Sequence, residues 1–294
     1  MLPLVSVVIP CYNHEKFVQD SIQSVIDQTY ENIELIIIDD GSKDNSVIKI
    51  REMTELCENR FVRFEFRSRP NKGLSSTLNE ALEWASGEYF SSLASDDQMF
   101  NYKTSVQINY LENNRCYAAV FGGVQLIDEK NIKLEKVVSK ARAYSFDDII
   151  MHKHSLLAPT QMIRMKNIRK TGGYKPNMFI EDWYMWLLLS REANIFNMDE
   201  VFAFYRKHDA NISKDFRKMN SARLEVLSFF SDSRLYVKAV NNIKWHNTYQ
   251  ELIYLNNNKL LNMVKLVILD PKKTSKILIK KSLKNFYNNH NSYF

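Results

Sequence analysis

Tyr89-Phe90-Ser91-Ser92-Leu93-Ala94-Ser95-Asp96-Asp97 is a short apolar run that ends on two adjacent carboxylates. It reads as a buried strand whose carboxyl end opens into a site, the edge where ligands collect in open α/β sheets. No Lys or Arg lies within five residues on either side of the pair. Two such acids are costly to hold together unless something positive joins them. A divalent cation held between carboxylate and phosphate oxygens fits, because hard cations prefer oxygen ligands. Ser-Asp-Asp is also ordinary turn chemistry, so this stretch leaves both readings open and its neighbours decide.

Upstream, residues 4–9 (Leu-Val-Ser-Val-Val-Ile) are apolar and β-branched and stop at Pro10, the signature of a parallel strand buried on both faces. Val18, Ile22, Val25 and Ile26 follow at helical spacing. Residues 33–38 repeat the strand pattern and end in Asp39-Asp40-Gly41-Ser42. A second helix is predicted over 45–56 and a third strand over 61–66. Leu74, Leu78, Ala81, Leu82 and Ala85 share one face of a third helix, ended by Gly87. Four alternations in roughly a hundred residues describe a parallel β/α half that binds nucleotides at its strand ends. Neither the Gly-x-Gly-x-x-Gly of dinucleotide folds nor the phosphate-binding lysine loop is present, which argues against a dehydrogenase or a P-loop ATPase.

Downstream the pattern is less regular. A helix is expected over 102–112, strands over 117–127 and 155–165, a turn at Gly172-Gly173, a helix over 180–191 and a strand over 195–205. Beyond Lys218 the chain reads as helical, broken at Asn256-Asn257-Asn258 and Asp270-Pro271.

Composition narrows the class. With 294 residues, 45% hydrophobic and 25% charged, the chain suits one large α/β domain or two smaller ones rather than disorder. Cys11, Cys57 and Cys116 are widely spaced with no C-x-x-C, so a reducing cytoplasm is expected. No signal peptide and no run near the ~18 apolar residues of a membrane span are evident. Residues 259–294 carry eight Lys against one Asp, so most of the net +6 belongs to a tail and the preceding 258 residues are almost neutral. The basicity therefore does not indicate a nucleic-acid-binding core.

Six stretches together resemble the family 2 glycosyltransferases, inverting enzymes with the GT-A fold. They are Val5-Ser6-Val7-Val8-Ile9-Pro10-Cys11-Tyr12-Asn13, Ile38-Asp39-Asp40-Gly41-Ser42-Lys43-Asp44, Asn71-Lys72-Gly73-Leu74, Gly87-Glu88-Tyr89 running to Ser95-Asp96-Asp97, Glu181-Asp182-Trp183, and Tyr205-Arg206 with His208, Asn211 and Ser213. The resemblance covers roughly residues 3–215 and implies a bacterial surface-polysaccharide type. Many relatives carry an acid where this chain has Ala94. The Gln-Arg-Trp signature of processive synthases is absent, which implies transfer of a single sugar.

The implied architecture is α/β, a mainly parallel sheet flanked by helices. A nucleotide-sugar-binding half would span 1–100, an acceptor-binding half 101–215 and a helical basic C-terminal extension 216–294. By resemblance Pro10, Tyr12 and Asp40 line a uracil pocket, with Tyr12 on the base and Asp40 accepting from the ring. Asn71 and Gly73 would present backbone N–H groups to the donor diphosphate. Asp96 would face the ribose, Asp97 would hold Mn²⁺ or Mg²⁺, His208 would approach the same cation, and Arg206 would contact phosphate. Asp182 is the implied general base, kept ionised by a helix start; Glu181 would orient the acceptor, and Trp183 would be either a sugar platform or core.

In the tail, Lys272, Lys273, Lys276, Lys280, Lys281 and Lys284 interleave with Ile277, Leu278, Ile279, Leu283, Phe286 and Tyr287. This is the pattern of a basic amphipathic helix on an anionic membrane, or of a solvated helix face. The expectation is a cytoplasmic enzyme, peripheral on the inner face of the plasma membrane. It would move a sugar from a UDP-sugar to a lipid-diphosphate-linked saccharide in O-antigen, capsule or lipopolysaccharide assembly, with no nucleic-acid partner. A non-catalytic nucleotide-sugar-binding module and a sugar nucleotidyltransferase are the rivals. The second would need a glycine-rich N-terminal phosphate loop, which Pro10-Cys11-Tyr12-Asn13 is not.

Overall fold

A computed structural model describes residues 2–208, 216–254 and 259–276. Its strands are β1 (Val5–Cys11), β2 (Ile33–Asp39), β3 (Arg63–Ser68), β4 (Tyr89–Ser92), β5 (Gln98–Met99), β6 (Ala119–Ile127), β7 (Lys133–Val137), β8 (Arg142–Tyr144), β9 (Met162–Arg164) and β10 (Ile195–Arg206). Its helices are α1 (Val18–Ile26), α2 (Ser46–Arg51), α3 (Thr54–Arg60), α4 (Leu74–Trp84), α5 (Lys103–Asn113), α6 (Phe146–Ile150), α7 (Met165–Lys170), α8 (Glu181–Glu192), α9 (Phe216–Ser228), α10 (Tyr236–Tyr254) and α11 (Lys259–Leu269).

The strands form one sheet in the order β3-β2-β1-β4-β9-β6-β10-β5, with β7 on β6 and β8 on β10. β1, β2, β3 and β4 pair in parallel. β9 runs antiparallel to both β4 and β6, so β6 points the same way as β4, and β10 is parallel to β6. The carboxyl ends of β1, β2, β4 and β10 therefore lie along one edge, which positions the site. β1 and β2 are almost wholly buried, as their mainly apolar runs, interrupted by Ser6 and Glu34, require.

The start of β4 is pinned by a buried carboxylate. Glu34 on β2 accepts from the Ser6 hydroxyl (2.6 Å) and from the Ser86 and Gly87 amides (2.6 and 3.0 Å). Arg63 approaches its other oxygen at 3.4 Å. Burial without these partners would be costly; with them it fixes the register of β4 on β1.

Several expected boundaries are corrected. The single helix over 45–56 is two, α2 and α3. The chain tightens between them, where the Met53 amide reaches the Ile50 carbonyl at 3.0 Å, and this turns Met53 and Cys57 into the core with Ile50. The strand over 155–165 shrinks to β9, preceded by a 3₁₀ turn at Ala158–Thr160. β5, β7 and β8 were not foreseen; they are short or exposed edge pieces with little apolar pattern.

The described chain divides into two compact units, Met1–Ile149 with Lys153–Lys214, and Ile150–His152 with Asp215–Phe294. In the second, Val226, Leu227, Phe230, Ala239, Ile243, Trp245 and Leu266 are buried. Trp245 donates through Nε1 to the Thr274 hydroxyl (2.9 Å) and stacks on Tyr249. Among the described residues no helix is long and apolar enough to cross a membrane.

Candidate active site

A cavity of about 670 Å³ opens at the carboxyl edge of the sheet and lies wholly within the first unit. Pro10, Tyr12, Asp40, Asn71, Gly73, Asp96, Asp97, His208, Glu181 and Asp182 all line it, so residues up to 198 positions apart in sequence share one cleft. Arg206 and Trp183 are not among its walls.

At the mouth, Tyr12 exposes 46% of its surface, enough to offer a ring face to a planar ligand. Asp40 is buried behind it and strongly engaged. Its Oδ1 accepts from the Lys72 amide at 2.8 Å and pairs with Arg69, while Oδ2 accepts from the Gly73 amide at 2.9 Å. A carboxylate offers roughly four acceptor sites, so about one remains for a ligand, on Oδ2. The Lys72 and Gly73 amides are thus committed to Asp40, which corrects the expectation that the Gly73 amide faces a diphosphate; Asn71 lines the cavity. Gly41 and Gly73 make this turn possible. Both have positive φ (77° and 86°), and a Cβ on Gly41 would stand 2.6 Å from the Asn71 amide nitrogen.

Deeper in, the acidic pair divides its work. Asp96 Oδ2 lies 2.8 Å from His208 Nε2, and its Oδ1 lies 3.8 Å from His14 Nδ1. Asp97 turns Oδ1 to the Arg206 amide at 2.9 Å. Burial first, then the Asp96 charge, push the Asp97 carboxyl well above the usual carboxylate range, against the pull of Arg206. The ligand atoms that gather, all within 4.8 Å of one another, belong to His14, Asp96 and His208. These three groups could hold a cation, and Asp97, the ligand expected from the sequence, lines the same cavity. Oxygen and imidazole donors of this kind suit Mn²⁺ and related divalent ions.

Arg206 is a second correction. Its side chain is fully buried, with Nε donating to the Asp96 carbonyl (2.8 Å), Nη1 to the Asp128 carbonyl (3.0 Å) and Nη2 near Asp20 (3.3 Å). It also lies over the Phe17 ring. These bonds brace the end of β10 against the acidic turn, and the guanidinium does not face the cavity.

Glu181 and Asp182 begin α8, are half-buried and line the same cavity, as does Tyr174. Asp182 Oδ1 accepts from the Trp183 amide at 2.6 Å. Burial raises the Asp182 carboxyl; burial and then the Asp182 charge raise Glu181 to about 8. The helix start does not hold Asp182 at an ordinary carboxylate value, as its sequence position implied: desolvation outweighs the amide. Trp183 is 2% exposed and donates to the Ile149 carbonyl at 3.2 Å, so it is core rather than a sugar platform.

Of the tail residues, Lys272 and Lys276 lie in the described chain. Lys273, also described, folds back, its Nζ 2.7 Å from Asn242 Oδ1 and over the Trp245 ring. Lys280, Lys281, Lys284 and the apolar residues from Ile277 to Tyr287, like Asn211 and Ser213, lie outside the described residues.

Sequence reasoning missed His14, Gln161 and Tyr174. His14 follows the matched Asn13 directly, but a lone His in a loop carries no signal until folding sets it beside another. Gln161 is placed by the hidden Lys103, whose Nζ donates to the Gln161 carbonyl (3.1 Å) and to Ser91 (2.7 Å); burial lowers that ammonium to about 7.

Known proteins resemble the chain in sequence and in fold. An uncharacterized glycosyltransferase of Rickettsia typhi is 31% identical over 71% of the chain, which spans 65% of that relative's length; for one from Rickettsia felis the span is 36%. The UDP-Glc:alpha-D-GlcNAc-diphosphoundecaprenol beta-1,3-glucosyltransferase WfgD of Escherichia coli is 28% identical over 79% of the chain and 88% of WfgD. Among solved structures, S. aureus TarS with UDP-GlcNAc superposes with a TM-score of 0.65 at 14% identity, covering 90% of this chain and 79% of that one. The mannosyltransferase PcManGT of Pyrobaculum calidifontis, in complex with GDP-Man and Mn²⁺, gives 0.62 at 12%, covering 98% and 88%. At such identities the structures show the fold alone, and the fold is the expected α/β GT-A type. Residues 6–180 match the model of glycosyl transferase family 2, and the chain belongs to that family.

Proposed function

We propose that the protein transfers one sugar, with inversion, from a UDP-sugar to a lipid-diphosphate-linked saccharide in the assembly of a surface polysaccharide such as O-antigen or capsule. The observation that carries this reading is the single cleft that Asp182 lines together with the Asp96–His208 pair. WfgD, by its printed name, uses such a donor and acceptor, which supports the substrate class.

Tyr12 packs on the base and Asp40 offers its remaining acceptor site to the ring. Asp96 and His208, with Asp97 beside them, hold a divalent cation, Mn²⁺ or Mg²⁺. When bound, that cation supplies charge stabilisation to the departing diphosphate. Asp182 takes the proton from the acceptor hydroxyl on the opposite face of the sugar, an assistance worth about 10²–10⁴ in rate. Its raised proton affinity makes it a stronger base once ionised. Glu181, protonated at neutral pH, donates a hydrogen bond that orients the acceptor. The inner face of the plasma membrane is the proposed location. Supporting this, α11 exposes Leu261, Val264, Val267 and Ile268, an apolar strip beside Lys265 and Lys272.

The test is a panel of nucleotide sugars with Mn²⁺, read first by thermal shift and then by release of free nucleotide in the presence of a lipid-diphosphate sugar. A UDP-sugar should raise the melting temperature and release UDP. Binding without release under any acceptor would remove catalysis from the reading.

A further inference from the structure

We propose that His14 is a direct ligand of the cation, completing a set of two imidazoles and one carboxylate that makes this site prefer Mn²⁺ over Mg²⁺. The inference rests on the cation site proposed above and adds to it a third ligand and its selectivity.

His14 comes from the loop after β1, Asp96 from the turn after β4 and His208 from the end of β10, three elements that the sheet order brings to one edge. His14 and His208 meet with ring centroids 5.8 Å apart and planes at 85°. Asp96 stands between them, each of its two oxygens turned to a different ring. Phe17 packs against both imidazoles, with centroids 6.2 and 5.3 Å away, giving the cluster an apolar backing on one side. Its other side opens into the cavity, which all three ligands line.

Two histidines facing a carboxylate could simply form a hydrogen-bonded wall. The Asp96–His208 bond is such a contact, but the longer approach of His14 at 3.8 Å is not a hydrogen bond. His14 Nδ1 is held instead by the Ser95 hydroxyl at 2.7 Å. A hydroxyl can donate or accept, so Ser95 orients the ring without fixing a proton on Nδ1. Ligation exchanges that bond, and the His208–Asp96 bond, for bonds to metal. His14, Asp96 and His208, with Asp97 beside them on the cavity wall, would hold the ion. Imidazole nitrogen favours Mn²⁺ and later transition ions over Mg²⁺, which prefers an all-oxygen shell.

The experiment is Mn²⁺ binding to the full chain, without nucleotide, read by electron paramagnetic resonance, with echo modulation counting coupled nitrogens. Two imidazole nitrogens are expected in the wild type and one in His14→Asn, with at least a tenfold loss of Mn²⁺ affinity in the variant. His14→Asp, which substitutes oxygen for nitrogen, should restore Mn²⁺ binding and raise Mg²⁺ competition several-fold, a shift that a merely structural role would not produce. A single nitrogen in the wild type, or His14→Asn binding within twofold of it, overturns the proposal. The wild-type nitrogen count needs no variant to fold. It is also independent of turnover: two nitrogens without sugar transfer would sustain this inference while removing the transferase reading.

Discussion

Asp182 and Glu181 are neighbours on one helix turn, yet burial gives them different tasks. Burial and then the Asp182 charge lift the Glu181 carboxyl to about 8, and burial raises Asp182 as well. Asp182→Asn should leave UDP-sugar binding within a few-fold and lower transfer by about 10²–10⁴, measured by calorimetry and by nucleotide release. Glu181→Gln mimics the protonated acid. It should keep most transfer at pH 7 and erase any inflection near pH 8 in the rate profile. The same shift bears on stability. A carboxyl raised from 4.5 to about 8 on folding favours the folded state at low pH, and that contribution is lost as pH rises through 8. Urea midpoints should therefore fall between pH 5 and 9 by more in the wild type than in Glu181→Gln. Which residue types gather here was readable from the motifs, because Asp40, Asp96 and Asp182 each follow a predicted strand or open a predicted helix. Which way each side chain turns was not. Arg206 and Trp183 carry the right chemistry but spend it inside the protein, on Asp96 and Asp128 carbonyls and on Ile149. Only tertiary packing decides that.

At the scale of elements, the acidic turn after β4 is set by the strand before it, and that strand is set by Glu34. Glu34→Ala would leave the Ser86 amide, the Ser6 hydroxyl and part of Arg63 without their acceptor, while the Gly87 amide keeps only Ser6 Oγ at 3.0 Å. Stranded buried donors of this kind cost about 1–3 kcal/mol each before relaxation. A net loss of about 3 kcal/mol is expected in denaturant unfolding; a loss under 1 kcal/mol would show that β4 is placed by its apolar contacts alone. Buried parallel strands were legible because β1 and β2 must be apolar on both faces. The pieces that escaped notice were β5, β7 and β8, whose pairing comes from partners distant in sequence rather than from their own pattern. The split between α2 and α3 escaped for a related reason: the residues suit one helix, and the core's demand for Met53 and Cys57 breaks it.

For the whole molecule, the sheet edge gathers the cleft within the first unit, and the second unit carries the surplus of positive charge toward the C-terminus. Truncation after Asn258 removes α11 with its exposed Leu261, Val264, Val267 and Ile268 together with all eight lysines from 259 onward. Each lysine beside an anionic surface contributes about 1 kcal/mol. The shortened chain should therefore lose most of its sedimentation with anionic vesicles while still binding UDP-sugar, and unchanged sedimentation would discard the membrane role. The claim on which the rest depends is that the acid on α8 acts on the sugar from the side opposite the cation site. The anomeric configuration of the product, read from proton coupling constants after transfer from an α-linked UDP-sugar, tests it most directly. A β-linked product is the predicted result; an α-linked product would contradict it.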